Sequence, residues 1–180
     1  FITAYMTATV FVYLIATAVA VYRGIGMAEG AVEAQCAVIG NVGFLGIPMF
    51  ALLLGVEATR PVIIIVTCDL MFFSSLIVIL ITVSREGRFS LGILKTALLS
   101  LLKNPMIVSI GLGVIWSYWS LPVPQPVDEL LTLLGAAATP GALFAIGASL
   151  ASKSADRLSV AVWLSFCKLI LHPTAVFITG

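Results

Sequence analysis

Apolar residues along this chain follow neither the two-residue alternation of a strand nor the one-faced stripe of a surface helix. They run in blocks of roughly twenty, long enough to cross a bilayer as helices and too long for barrel strands. Short clusters between the blocks hold most of the charged residues. The blocks cover residues 1–22, 34–54, 61–83, 104–120, 130–152 and 158–180 and predict six membrane spans in an all-α integral membrane protein. They also lack the in–out alternation of a membrane barrel. Composition agrees: 61% of residues are hydrophobic and 9% charged, whereas about a quarter of an ordinary soluble domain is charged. The formal net charge of +1 gives no footing for a nucleic-acid or acidic partner.

The connections set an orientation. With the spans alternating, segments 23–33, 84–103 and 153–157 share one side, which carries Arg23, Arg85, Arg88, Lys95, Lys103, Lys153 and Arg157. The other side has Arg60 as its cation, beside Glu57, Asp128 and Glu129. The positive-inside bias makes the first side cytoplasmic and points Phe1 outward. Trp116, Tyr118 and Trp119 then fall at the outer end of the fourth span, where belt aromatics belong. Within 84–103, Phe89, Leu91, Ile93, Leu94, Leu98, Leu99, Leu101 and Leu102 suit an interfacial helix. Asn104-Pro105 reads as a helix start, and Leu121-Pro-Val-Pro-Gln-Pro126 as a stiff outer link. The chain begins at Phe1 without a Met and stops within an apolar block, which reads as an internal piece of a longer protein.

Polar groups inside the blocks are the candidate chemistry. The stretch Ile39-Gly-Asn-Val-Gly-Phe-Leu-Gly-Ile-Pro-Met-Phe50 places Gly40, Asn41, Gly43, Gly46 and Pro48 inside the second span. Pro48 has no N–H for the carbonyl of Phe44. An unpaired carbonyl in hydrocarbon survives only where protein or a water-filled cavity covers it. This pattern suits a discontinuous helix at a substrate site; a Pro-kinked helix packed through small residues is the alternative. Asp69 lies well inside the third span, as a proton-titrating or cation-coupling carboxylate or as a structural hydrogen-bond partner. Lys168 and His172 stand four residues apart on the sixth span, ahead of Pro173, which deprives the carbonyl of Leu169 of its helical partner. They read as part of an anion-attracting or proton-relaying path, or, for the histidine, as a helix–helix hydrogen bond. Gln35 reads as interfacial. Cys36, Cys68 and Cys167 are spaced like small hydrophobes, with no metal-site or disulfide framework. No nucleophile–base or phosphate-loop motif occurs, so neither an enzyme nor a cofactor or metal site is expected.

Four blocks in order resemble the auxin efflux carrier family, which includes plant auxin exporters and bacterial permeases for malonate and similar acids. They are Gly40-Asn-Val-Gly-Phe-Leu-Gly-Ile-Pro48, Leu102-Lys-Asn-Pro-Met-Ile-Val-Ser-Ile-Gly-Leu-Gly113, Ala138-Thr-Pro-Gly-Ala-Leu-Phe-Ala-Ile-Gly147 and Lys168-Leu-Ile-Leu-His-Pro173. The resemblance implies part of a ten-helix transporter with two inverted five-helix repeats and two broken crossover helices. The six spans would be its third to eighth helices: 1–83 ends the first repeat, 84–103 links, and 104–180 starts the second. Asn41 and Pro48 would lie at the first crossover, with Gly40, Gly43 and Gly46 completing the substrate site. Asp69, Lys168 and His172 would supply coupling or counter-charge.

The short 84–103 connection points to a compact bacterial-type carrier in the cell membrane, contacting lipid. The expected partners are a small organic anion and H⁺ or Na⁺ as coupling ion, with a homodimer left open. A Na⁺-coupled bile-acid-type symporter and a non-transporting membrane scaffold or sensor are the alternatives. The charge bias has a direct check. In a background lacking Cys36, Cys68 and Cys167, a cysteine at Gln125 is expected to react with an impermeant maleimide from outside the cell. Reaction only after permeabilisation would reverse the orientation.

Overall fold

The computed structural model describes residues 1–87, 91–151 and 157–180. Ten α-helices follow in order: α1 (Ile2–Tyr22), α2 (Met27–Val38), α3 (Ile47–Leu54), α4 (Thr59–Cys68), α5 (Ser74–Glu86), α6 (Leu91–Lys103), α7 (Pro105–Tyr118), α8 (Gln125–Ala151), α9 (Leu158–Phe166) and α10 (His172–Thr179). Three five-residue π-turns, Val42–Gly46, Asp69–Phe73 and Cys167–Leu171, lead into α3, α5 and α10. Among the described residues there is no strand. Among the described residues, five helical stretches are long and apolar enough to cross a bilayer: Ile2–Tyr22, Met27–Leu54, Thr59–Arg85, Gln125–Ala151 and Leu158–Thr179.

The fourth expected span differs. Residues 104–120 hold α7, whose 14 residues reach about 21 Å at 1.5 Å per residue, short of a hydrocarbon core of roughly 30 Å. Asn104 separates α7 from α6, so the two do not form one longer rod. Segment 91–103 is helical; Arg88, Phe89, Lys153 and Asp156 lie outside the described residues.

The second span starts earlier than hydrophobicity alone indicates. Helix α2 begins at Met27 and carries Glu29 and Glu33, because both acids find arginine partners. The Glu33 carboxylate is buried and accepts a bond of 2.6 Å from Arg23 at the end of α1. Arg157, just before α9, pairs with Glu29. These two pairs bring Arg157 to the same end of the bundle as the 23–33 connection. The α1–α2 turn shrinks to Arg23–Gly26, where Gly24 takes a positive φ of 70° that a side chain would resist.

Small residues make the contact between α1 and α2. Ala16 and Ala20 meet a face built from Gly30, Ala31, Ala34 and Ala37; a Cβ on Gly30 would stand 3.3 Å from that of Ala20. Without a hydrophobic drive between helices in lipid, such close backbone approach is what holds a pair together. Val12, Tyr13, Val38, Phe73 and Cys167 extend this core to the π-turns at 69–73 and 167–171. Helix α8 buries no residue, although it runs unbroken through Pro140 and touches the π-turn at 42–46.

Ala34 is fully buried, so Ala34→Leu is expected to force α1 and α2 apart and cost about 1–3 kcal/mol. Thermal unfolding in detergent measures it, with Val32→Leu, on an exposed position of the same helix, as the neutral control.

Candidate functional site

The second membrane stretch is broken, and the break lies upstream of Pro48. Helix α2 stops at Val38. Ile39 is extended (φ −84°, ψ 123°), its N–H still bonded to the carbonyl of Gln35 at 2.9 Å. Asn41 leaves helical geometry too (φ −80°, ψ 59°). The chain then re-enters a helix through the π-turn, with the Asn41 carbonyl accepting from Leu45 at 3.1 Å and Gly46 at 3.2 Å. The Asn41 side chain accepts from the N–H of Phe44 at 3.3 Å, an N-cap for the second half-helix. Pro48 sits in the first turn of α3, where a proline is tolerated. The interruption expected at the Phe44 carbonyl is therefore displaced to residues 39–41.

The break opens onto a cavity of about 180 Å³ lined by Ile39 to Phe44 together with Val66, Asp69 and Leu70. Gly40, Asn41, Gly43 and Asp69 thus share one space, while Gly46 and Pro48 do not line it. Gly40, Gly43 and Gly46 are not among the residues with positive φ. Gly46 is constrained by space, since a Cβ there would press to 3.1 Å on Val42.

Asp69 is buried near the middle of the third span, at the start of its π-turn. Among the described residues it has no cationic partner within ion-pair distance. Instead the Tyr5 hydroxyl on α1 lies 2.8 Å from Oδ1 and 3.0 Å from Oδ2. One turn along the same face of α1, the Thr9 hydroxyl lies 2.9 Å from Nε2 of His172 and donates to the carbonyl of Tyr5 at 2.7 Å. With the only hydroxyl hydrogen of Thr9 committed to that carbonyl, Nε2 of His172 is the donor in their contact. The rings of Tyr5 and His172 meet edge to face at 5.7 Å between centroids.

Lys168 and His172 make hydrogen bonds to different neighbours, although they lie one helical turn apart. The π-turn at 167–171 carries an i→i+5 bond from the N–H of His172 to the carbonyl of Cys167, and the extra residue reorients the face. Lys168 Nζ reaches the Ile39 carbonyl at 2.5 Å, while His172 turns to α1. Pro173 falls in the first turn of α10, so the second break anticipated at Leu169 is absorbed by the π-turn as a widened helix. The same i→i+5 bond closes the other two π-turns, from Ile47 to Val42 and from Ser74 to Asp69.

Sequence reasoning passed over Tyr5 and Thr9, a tyrosine and a threonine in an apolar span that pattern alone does not separate from packing residues. Gln35 also differs from its interfacial reading: its side-chain oxygen is buried, one turn before the break, with no partner among the described residues. No group of three metal-ligating side chains comes together among the described residues.

A multi-pass integral membrane protein with a broken span, polar groups gathered at the break and a cavity beside them has the build of a membrane carrier. The chain belongs to the membrane transport protein family, whose sequence model matches residues 1–179; this is the auxin efflux carrier family that the four sequence blocks resemble. It is similar to a Rhizobium meliloti (strain 1021) protein named "Putative malonate transporter", 27% identical over 158 residues, a match covering 84% of this chain and 48% of that protein. The chain spans about half the length of the curated relative it matches. No solved structure matches the chain.

The Tyr5–Asp69 contact gives a prediction free of any transport assay. Tyr5→Phe is expected to destabilise the protein by about 1–3 kcal/mol, because it strips a buried carboxylate of its donor. Asp69→Asn is expected to make the loss of the hydroxyl cheaper, so a double-mutant cycle by unfolding in detergent should show coupling of about 1 kcal/mol or more. Additive single effects would mean that the pair contributes nothing.

Proposed function

We propose that this protein is a secondary transporter of small organic anions, malonate-like dicarboxylates among them, working by alternating access. The observation that carries the reading is the break at 39–41, opening onto a cavity that Asn41 and Asp69 share. A half-helix N-terminus presents N–H groups without intrahelical acceptors and the positive end of its dipole, which suits a carboxylate. The segment from Val42 onward begins such a half-helix, and Asn41 keeps its side-chain N–H₂ for the substrate while its oxygen caps Phe44. Broken spans with this polarity are how many carriers seat an anion at the membrane midplane. The family match and the named malonate relative support the same reading.

The cavity volume of about 180 Å³ is below the 300–1,000 Å³ usual for drug-sized ligands, which favours a small acid over a bile-acid-sized one. Asp69 would couple the anion to a proton. Two like charges about 4 Å apart repel by about 4 kcal/mol at an effective dielectric of 20, so an ionised Asp69 opposes anion binding in the shared cavity. Anion and proton then favour each other's binding, which is the thermodynamic content of symport. The halves of the broken span also have different neighbours, α2 packing on α1, α5 and α9, and α3 on α4. Residues 39–41 would be the hinge between them, in a bacterial cell membrane.

Uptake of labelled malonate by the complete protein in liposomes tests this. Asn41→Ala is expected to lower kcat/KM by about ten- to a hundredfold, the range of one hydrogen bond to a charged group. Asp69→Asn is expected to keep saturable uptake and lose its dependence on the pH gradient. Unchanged kinetics in Asn41→Ala would remove the substrate from the break.

A further inference from the structure

We propose that Lys168 is a tethered cation standing, at the Ile39 carbonyl, where a coupling Na⁺ would otherwise bind, so that this site works without Na⁺. The inference deepens the organic-anion reading and rests on it.

The physical problem lies at the end of α2. A helix that stops inside a membrane leaves its last carbonyls without intrahelical donors, and they carry the negative end of the helix dipole, equivalent to roughly half a charge. Water does not serve them in hydrocarbon. Carriers with broken helices commonly place a Na⁺ or proton against such unwound carbonyls. Here the donor comes from the chain itself: Lys168 Nζ donates to the Ile39 carbonyl at 2.5 Å, across 129 residues of sequence.

Three observations set this lysine apart from an ordinary membrane-edge one. Its contact is partly buried and lies at the break, away from either end of its span. No carboxylate lies within ion-pair distance of it among the described residues, where the ion pairs are Arg23–Glu33, Arg60–Glu57 and Arg157–Glu29. Its charge is therefore committed to backbone. Finally, it rides the π-turn at 167–171, which sends it to the break and His172 to α1.

A second monovalent cation at the same carbonyl would meet the ammonium at close range and be repelled. Asp69, the anionic side chain lining the cavity, faces the Tyr5 hydroxyl, which lies 2.8 and 3.0 Å from its two oxygens. The ammonium also leaves a fixed positive charge near the seat proposed for the anion, which a mobile Na⁺ would have to bring with it at each turnover.

The test uses the purified complete protein, compared in NaCl and in choline chloride of equal ionic strength, by thermal unfolding and by malonate uptake in liposomes. The wild type is expected to show the same Tm and the same uptake in both salts. Lys168→Ala vacates the carbonyl and is expected to gain a Na⁺-specific rise in Tm, since a ligand that binds only the folded state stabilises it by mass action. Its uptake should be about tenfold faster in NaCl than in choline chloride, a coupling of ~1.4 kcal/mol. If Lys168→Ala does not fold, Lys168→Met keeps the stem and serves for the same comparison. Uptake or stability of the wild type that requires Na⁺ overturns the proposal, as does a Lys168 variant indifferent to Na⁺ in both readouts. Absence of malonate uptake by the wild type in either salt overturns the organic-anion reading instead, and the thermal comparison still decides the role of Lys168.

Discussion

A helix interrupted inside a membrane exposes backbone groups that lipid cannot solvate, and the rest of this structure is arranged around that constraint at residues 39–41. The carbonyl side of the break is met by the Lys168 ammonium and the N–H side by the Asn41 side chain. Each is a polar group whose own burial would be costly alone. Together they give the Ile39 carbonyl and the Phe44 N–H a partner each, with a small cavity left beside them.

Helix α1 is the strut that makes the junction stable. Its alanine face packs on α2, fixing the half-helix that ends at the break, and its Tyr5–Thr9 face holds Asp69 and His172. At the far end, Arg23 and Arg157 clamp Glu33 and Glu29 of the same half-helix. The polar side chains of α1 and the packing of its small residues are thus parts of one support, which reaches the α2 side of the break and leaves α3 outside the buried core.

Three π-turns widen the membrane helices beside polar side chains. Each adds a residue, and each begins next to or contains a candidate polar group: Asn41 before the first, Asp69 in the second, Lys168 in the third. Two of them stand just ahead of a proline, and the widened i→i+5 bonding lets the helix pass Pro48 and Pro173 without a second gap in the backbone. Helix periodicity fails as a guide at these points because it presumes 3.6 residues per turn. That is why Lys168 and His172, four residues apart, face different neighbours.

The sequence by itself determined the membrane class, most of the spans and the four blocks that mark the family, because bilayer thickness and backbone satisfaction translate directly into block length and composition. It also marked Gly40, Asn41, Gly43 and Asp69, since polar or small residues inside a span stand out against an apolar background. It placed the start of α2 too late, because a buried Glu33 is intelligible only once Arg23 is seen beside it. The tertiary structure alone decided that the break precedes Pro48, that Lys168 serves the Ile39 carbonyl while His172 serves Thr9, and that Tyr5 is the partner of Asp69. The last two depend on contacts between residues 64 to 163 positions apart. A local pattern carries no record of which span lies against which; only the packing of the helices supplies it.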